Sequence, residues 1–215
     1  MKTLISLIFG FTLLIISINA TAQNGGYVRE AYKAMKSGNY EKAVELYDKA
    51  IETYQSYSPS WYGRGLAYAH LGKYESSISD LSKAISLEPD YHQAYYARGL
   101  DHSKLGNDSA AVKDFSNAID INNNIAKYFY ARGNSYTYIE NYQKALQDYN
   151  KAIALDPEYG IAYYGRGVAK KYLEDHAAAL SDLNTYFDMN GNSDGLAKEV
   201  QRLINEIEFD MSNKN

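Results

Sequence analysis

Arg64, Arg98, Arg132 and Arg166 stand 34 residues apart, and an aspartate follows each by sixteen: Asp80, Asp114, Asp148 and Asp182. Arginine and carboxylate at a fixed spacing can form a bidentate, partly buried ion pair. Four arginines along one face could instead form a ladder for anions. Residues 24–57 carry Glu30 and Leu46 at the corresponding places, so arginine and aspartate are lost together. Joint loss within one stretch points to a bridge inside each repeat, because a bridge to the next repeat would leave Arg64 facing Leu46. Such a pair fixes geometry more than it stabilises.

Catalytic constellations are missing from the sequence. His70, His92, His102 and His176 share no short helical spacing of a zinc site, and there is no cysteine. No Gly-x-Ser-x-Gly elbow and no glycine-rich phosphate loop occurs. The chain therefore reads as a non-enzyme without cofactor or metal. Without cysteine, disulfides, thiol chemistry and a lipid-modified N-terminal cysteine are excluded together. Twenty-two bases face 26 acids, with no basic run, so nucleic acid is not an expected partner. Asp108-Ser109-Ala110 resembles a short bacterial O-glycosylation signal and is expected in a turn.

The elements that hold these residues follow from the same period. Gly65, Gly99, Gly133 and Gly167 each follow one of the arginines, and Tyr62, Tyr96, Tyr130 and Tyr164 precede them by two. A 34-residue period means stacked helical hairpins. Units run 58–91, 92–125, 126–159 and 160–193, preceded by a divergent copy at 24–57. Within a unit, Ile78, Leu81, Ala84 and Ile85 are spaced three and four apart, a helical face. Gly72 and Gly106 mark the turn inside the hairpin. Pro89 and Pro157 stand where a second helix must end, and Pro59 stands where the next first helix begins.

The stretch WYGRGLAYAHLGKYESSISDLSKAISLEPD, beginning at Trp61, resembles a tetratricopeptide repeat. Trp61, Gly65, Tyr68, Gly72, Tyr74, Ala84 and Pro89 carry the resemblance. Phe129, Gly133, Tyr136, Tyr142, Ala145, Tyr149, Ala152 and Pro157 repeat it. It covers about 170 residues and implies an all-α, right-handed solenoid of helix-turn-helix hairpins. It says little about function, because the family is a scaffold used in many processes. Asp108 and Asn123 depart from the pattern in the third unit. Glu174, His176 and Tyr186 depart from it in the fifth.

The ends add two expectations. Met1-Lys2, the apolar run Leu4 to Ile18 and Ala20-Thr21-Ala22 read as a secretory signal peptide, residues 1–22, cut after Ala22. The alternative is an uncleaved N-terminal anchor. Cleavage removes Lys2 and no acid, leaving 21 bases against 26 acids. The protein is then exported, periplasmic or secreted, with no stable membrane span. At the other end, Leu196, Val200, Leu203 and Ile207 form an apolar stripe backed by Lys198, Glu199, Arg202, Glu206 and Glu208. Residues 194–209 are expected to cap the solenoid, with 210–215 a frayed tail.

The resemblance also implies a concave groove lined by the first helices. In the first unit its expected places hold Gly25, Val28, Tyr32, Met35 and Lys36. In the second they hold Pro59, Tyr62, Leu66, Ala69 and His70. In the third they hold Gln93, Tyr96, Leu100, Ser103 and Lys104. In the fourth they hold Lys127, Tyr130, Asn134, Thr137 and Tyr138, and in the fifth Ile161, Tyr164, Val168, Lys171 and Tyr172. Seven tyrosines, four lysines and no acid stand at these places in an acidic chain. The family's carboxylate clamp needs paired Lys and Asn on adjacent first helices, and only Asn134 and scattered lysines match it. The leading expectation is an adaptor that binds a protein or peptide with acidic and apolar groups. The rivals are a glycan- or cell-wall-binding module and an architectural subunit that assembles through the solenoid ends.

Overall fold

The computed structural model describes residues 23–190 and 195–213, and among these every regular element is an α-helix. The expected signal peptide, residues 1–22, and the first residue expected for the capping segment, Asp194, lie outside the described residues. The chain divides after Leu105 into two compact units. The first contains α1 (residues 23–36), α2 (Tyr40–Thr53), α3 (Ser58–His70), α4 (Tyr74–Leu87) and α5 (His92–Lys104). The second contains α6 (Asp108–Ile121), α7 (Ala126–Tyr138), α8 (Tyr142–Leu155), α9 (Gly160–Tyr172), α10 (His176–Asn190) and α11 (Ala197–Asn213). In each unit consecutive helices pack on one another, the arrangement of an α-solenoid.

Local chemistry sets the helix ends. The turns inside the hairpins need a left-handed residue, and Gly38, Gly72 and Gly106 supply φ of 74°, 71° and 74°. The fourth and fifth hairpins place Glu140 and Glu174 there, at φ 60° and 62°, where a side chain is strained. Asn39 and Asn141 cap α2 and α8, each side-chain oxygen accepting from the backbone N–H three residues on. Ser58 and Pro59 open α3, with proline in the first turn where its missing N–H costs nothing. Asp108-Ser109-Ala110 is not a turn: it forms the first turn of α6.

Small residues let the helices approach. Ala43, Ala67, Ala84, Ala94, Ala145 and Ala169 are fully buried between them. The last face is closed by α11, whose Val200, Leu203, Ile204 and Ile207 cluster with Leu183 and Tyr186 of α10. Each such side chain contributes about 1.5–3 kcal/mol when fully buried. Tyr186 stands where Ala50, Ala84, Ala118 and Ala152 stand in earlier hairpins, and it packs in the cluster that α11 closes. The helix runs to Asn213, beyond the expected end at residue 209. Its polar face continues through Asp210 and Ser212, so the helical pattern does not stop at residue 209.

Candidate functional site

The arginines are internal staples. Arg64 donates from Nε and Nη2 to Asp80 at 2.7 and 2.8 Å, and Arg132 makes the same fork on Asp148 at 2.8 Å for both bonds. Arg166 does so on Asp182 at 2.8 and 2.6 Å. Each pair joins the two helices of one hairpin. The third arm reaches backwards: Nη1 of Arg64, Arg98, Arg132 and Arg166 donates to Asp48, Ser82, Ser116 and Asn150, on the second helix of the preceding hairpin. Arg98 belongs to the first compact unit and Asp114 to the second. Aromatic rings flank the guanidinium groups, with Arg64 4.9 Å from the Trp61 ring centre and Arg166 5.2 Å from Tyr163. With Nε, Nη1 and Nη2 of Arg64, Arg132 and Arg166 each bonded inside the protein, these arginines serve as internal staples and not as an anion ladder.

The fifth-place tyrosines Tyr62, Tyr96, Tyr130 and Tyr164 are half-buried, and Tyr62, Tyr130 and Tyr164 pack on other tyrosines. Tyr62 lies 4.8 Å from Tyr91, ring centre to ring centre, and Tyr130 lies 5.3 Å from Tyr159 and 6.0 Å from Tyr149. Tyr164 packs on Tyr186 at 5.7 Å. Burial raises the phenol pKa of Tyr62, Tyr130 and Tyr164. Asn134 is engaged internally, accepting from the Tyr149 hydroxyl at 2.7 Å. His70 stacks on Tyr40 at 4.4 Å and Tyr172 on Tyr142 at 4.6 Å, so these two places are also partnered from the preceding hairpin. Val168 and Leu66 lie against core clusters. Tyr138 is 77% exposed, and Leu100 and Lys104 are exposed on α5.

The first-helix groove places carry no acid, but Lys171 meets one from another helix. Its Nζ lies 2.8 Å from Glu206 Oε1 of α11. The capping helix brings an acid to the groove edge that the first-helix places could not reveal. Lys127 lies over the Tyr128 ring at 5.9 Å, and Lys36 over Tyr32 at 5.4 Å. The charge of Lys171, one of the four groove lysines, is therefore offset by Glu206.

The first unit opens a cavity of about 490 Å³. Val28, Tyr32 and Met35 of α1 form one wall, and Pro59, Tyr62 and Leu66 of α3 another. Tyr47 of α2 and Tyr57, just before α3, complete the lining. Tyr47 reaches this position because Gly63 has no side chain: a Cβ there would stand 2.2 Å from its ring. Burial pushes the Tyr47 phenol up to about 12, with Tyr32 and Tyr62 adding to the rise. Among the described residues Arg29 is the only charged one in the lining. The volume falls within the roughly 300–1,000 Å³ of small-ligand sites. Tyr47, Tyr57 and Arg29 were absent from the expected groove places. The 34-residue period does mark Tyr57, since Tyr91 and Tyr159 repeat it. A second, more polar cavity of about 450 Å³ is lined by Lys171, Tyr172, Glu174, His176, Asp210 and Asn213. Among the described residues no cluster of His, Asp or Glu could hold a metal ion, and no helix is long and apolar enough to cross a membrane.

Helical hairpins stapled at a 34-residue period, with aromatic first-helix faces, define a repeat scaffold. The chain belongs to the tetratricopeptide repeat family, whose models match residues 26–57, 58–91, 92–125 and 126–159. No curated protein matches it in sequence. Among solved structures it resembles MamA from Desulfovibrio magneticus RS-1, with 21% identity, 80% of this chain and 98% of that one covered, and a TM-score of 0.74. It also resembles YrrB, described as a tetratricopeptide protein with an unusual peptide-binding site. There the identity is 24%, the coverage 82% and 90%, and the TM-score 0.71. These likenesses show the fold alone.

Proposed function

We propose that the protein is a non-catalytic, exported adaptor that binds a protein or peptide segment on the first-helix faces of its hairpins. The observation that carries this reading is the aromatic, acid-free cavity between α1 and α3, on the side where the expected groove places converge. Tyrosine suits such a surface, since it supplies large, rigid area with a polar tip at small entropic cost. The peptide-binding site named for YrrB, a protein of the same fold, supports the reading by analogy. The ligand is an extended or helical segment with apolar and acidic groups, steered by Arg29, Lys36 and Lys104.

A photo-crosslinking residue at Leu100 and at Tyr138, both exposed at groove places, tests the reading against one at Lys83, exposed on a second helix. Adducts with a protein of the cell envelope are expected from Leu100 or Tyr138 and not from Lys83. Adducts from Lys83 alone would move the function to the second-helix surface.

A further inference from the structure

The cavity in the first unit exists because one tyrosine of the repeat is missing. The fifth place of a unit holds Tyr62, Tyr96, Tyr130 and Tyr164, but Val28 in the first. The last place holds Tyr57, Tyr91 and Tyr159 in the first, second and fourth units. Where both rings are present they pack on each other: Tyr62 on Tyr91 at 4.8 Å, and Tyr130 on Tyr159 at 5.3 Å. In the first unit the fifth place holds Val28 and no ring, and Tyr57 is 38% exposed, its ring 6.3 Å from that of Tyr54 in the same loop. Val28 and Tyr57 both line the cavity, so it opens where a fifth-place ring would otherwise lie.

We propose that this cavity receives an aromatic side chain, tyrosine or phenylalanine, from the bound protein segment, completing the ring pair that the first repeat lacks. The inference rests on the adaptor reading and deepens it. The fold has already solved the packing at this place twice with a phenol, so the walls have the shape for one. Tyr57 offers its ring to the incoming one, as Tyr91 and Tyr159 do to theirs. The pair gains edge-to-face attraction beyond simple burial. Tyr32, Tyr47 and Tyr62 bring hydroxyls to the lining, which can bond a phenol or the segment's backbone. Among the described residues Arg29 is the one cation in the lining, 3.9 Å from Glu30, and no acid lines the cavity. A carboxylate next to the aromatic residue is therefore favoured over a cation.

The test uses the full-length protein and two probes. The first is p-cresol, at concentrations on the order of 10 mM because so small a ligand binds weakly. It should shift the methyl resonances of Val28, Met35 and Leu66, and cyclohexanol at equal concentration should shift them far less. The second is the capped peptide Gly-Ser-Glu-Tyr-Ser-Gly, whose binding should fall when its tyrosine becomes alanine and when its glutamate becomes lysine. Val28→Tyr supplies the repeat's own residue, so the variant should fold as well as the parent yet lose at least about tenfold in affinity for both probes. No shift with p-cresol, equal shifts with cyclohexanol, or unchanged binding by Val28→Tyr would overturn the inference. A self-association that Val28→Tyr abolishes would assign the cavity to a second copy and also overturn it. The two readings fail separately. A partner that crosslinks at Tyr138 but is indifferent to Val28→Tyr leaves the adaptor standing and removes the aromatic site. Probe binding that Val28→Tyr blocks, with crosslinks only from Lys83, does the reverse.

Discussion

Asp101 occupies the tenth place of its repeat, where Ala67, Ser135 and Ala169 stand in others. It is 4% exposed, and its Oδ2 is buried without a hydrogen-bond partner. Burial raises its pKa from 3.8 to about 6; Ser77 of α4 pulls the other way but makes no full hydrogen bond to it. The native state therefore holds a proton that the unfolded chain has released. Below about pH 4 both states are protonated and the site costs little. As pH rises from about 4 through 6 the native state loses stability, and above 6 the whole penalty remains. Asp101→Asn keeps the shape and removes the titration. In urea melts it should gain about 1–3 kcal/mol over the parent at pH 7.5 and much less at pH 4.5. A gain that is the same at both pH values would show that the carboxyl is not the cause. The sequence marks Asp101 as a departure from its repeat, but its burial follows from the approach of α4, which one sequence does not display.

At the scale of the helices, the staples decide which elements are coupled. Arg132 forks onto Asp148 of its own hairpin and touches Ser116 of the preceding one. Burial pushes the Asp148 pKa up while Arg132 draws it down, so removing Arg132 leaves an ill-matched buried acid. Arg132→Ala should cost about 1–4 kcal/mol, and Arg132→Ala with Asp148→Asn less than the sum of the two singles. Additive losses in urea melts would show that the pair is not coupled. The pairing within a hairpin is legible because one residue type recurs at each end. The backward bond is not, because Asp48, Ser82, Ser116 and Asn150 share only a side-chain oxygen, and a sequence repeat reports identity before chemistry. Turns follow the same logic. Glu174 holds φ 62° where three other hairpins use glycine. Glu174→Gly should raise the unfolding midpoint, by about 0.5–1 kcal/mol in stability. A lower midpoint would mean that the glutamate side chain is worth more than the strain it imposes.

At the scale of the molecule, the period and its turn residues made the hairpins legible, while the groove was legible only as a set of faces. Packing changed its meaning. Tyr62, Tyr130 and Tyr164 turn out to be ring-paired within the protein, and α11 neutralises Lys171. The first repeat, whose first half has drifted from the pattern, holds an aromatic opening of about 490 Å³. Its proximity to the expected cleavage site makes export a question about the site as well. Asn24 is buried and its side-chain amide donates to the Ala50 carbonyl at 2.7 Å. Cleavage after Ala22 therefore spares this anchor of α1, and the walls formed by Val28, Tyr32 and Met35 stay in place. Intact-mass measurement of the protein recovered from its native host should find Gln23 at the N-terminus. A mass that retains Met1 to Ala22 would replace export and release by anchorage, and would set the aromatic opening beside the membrane surface.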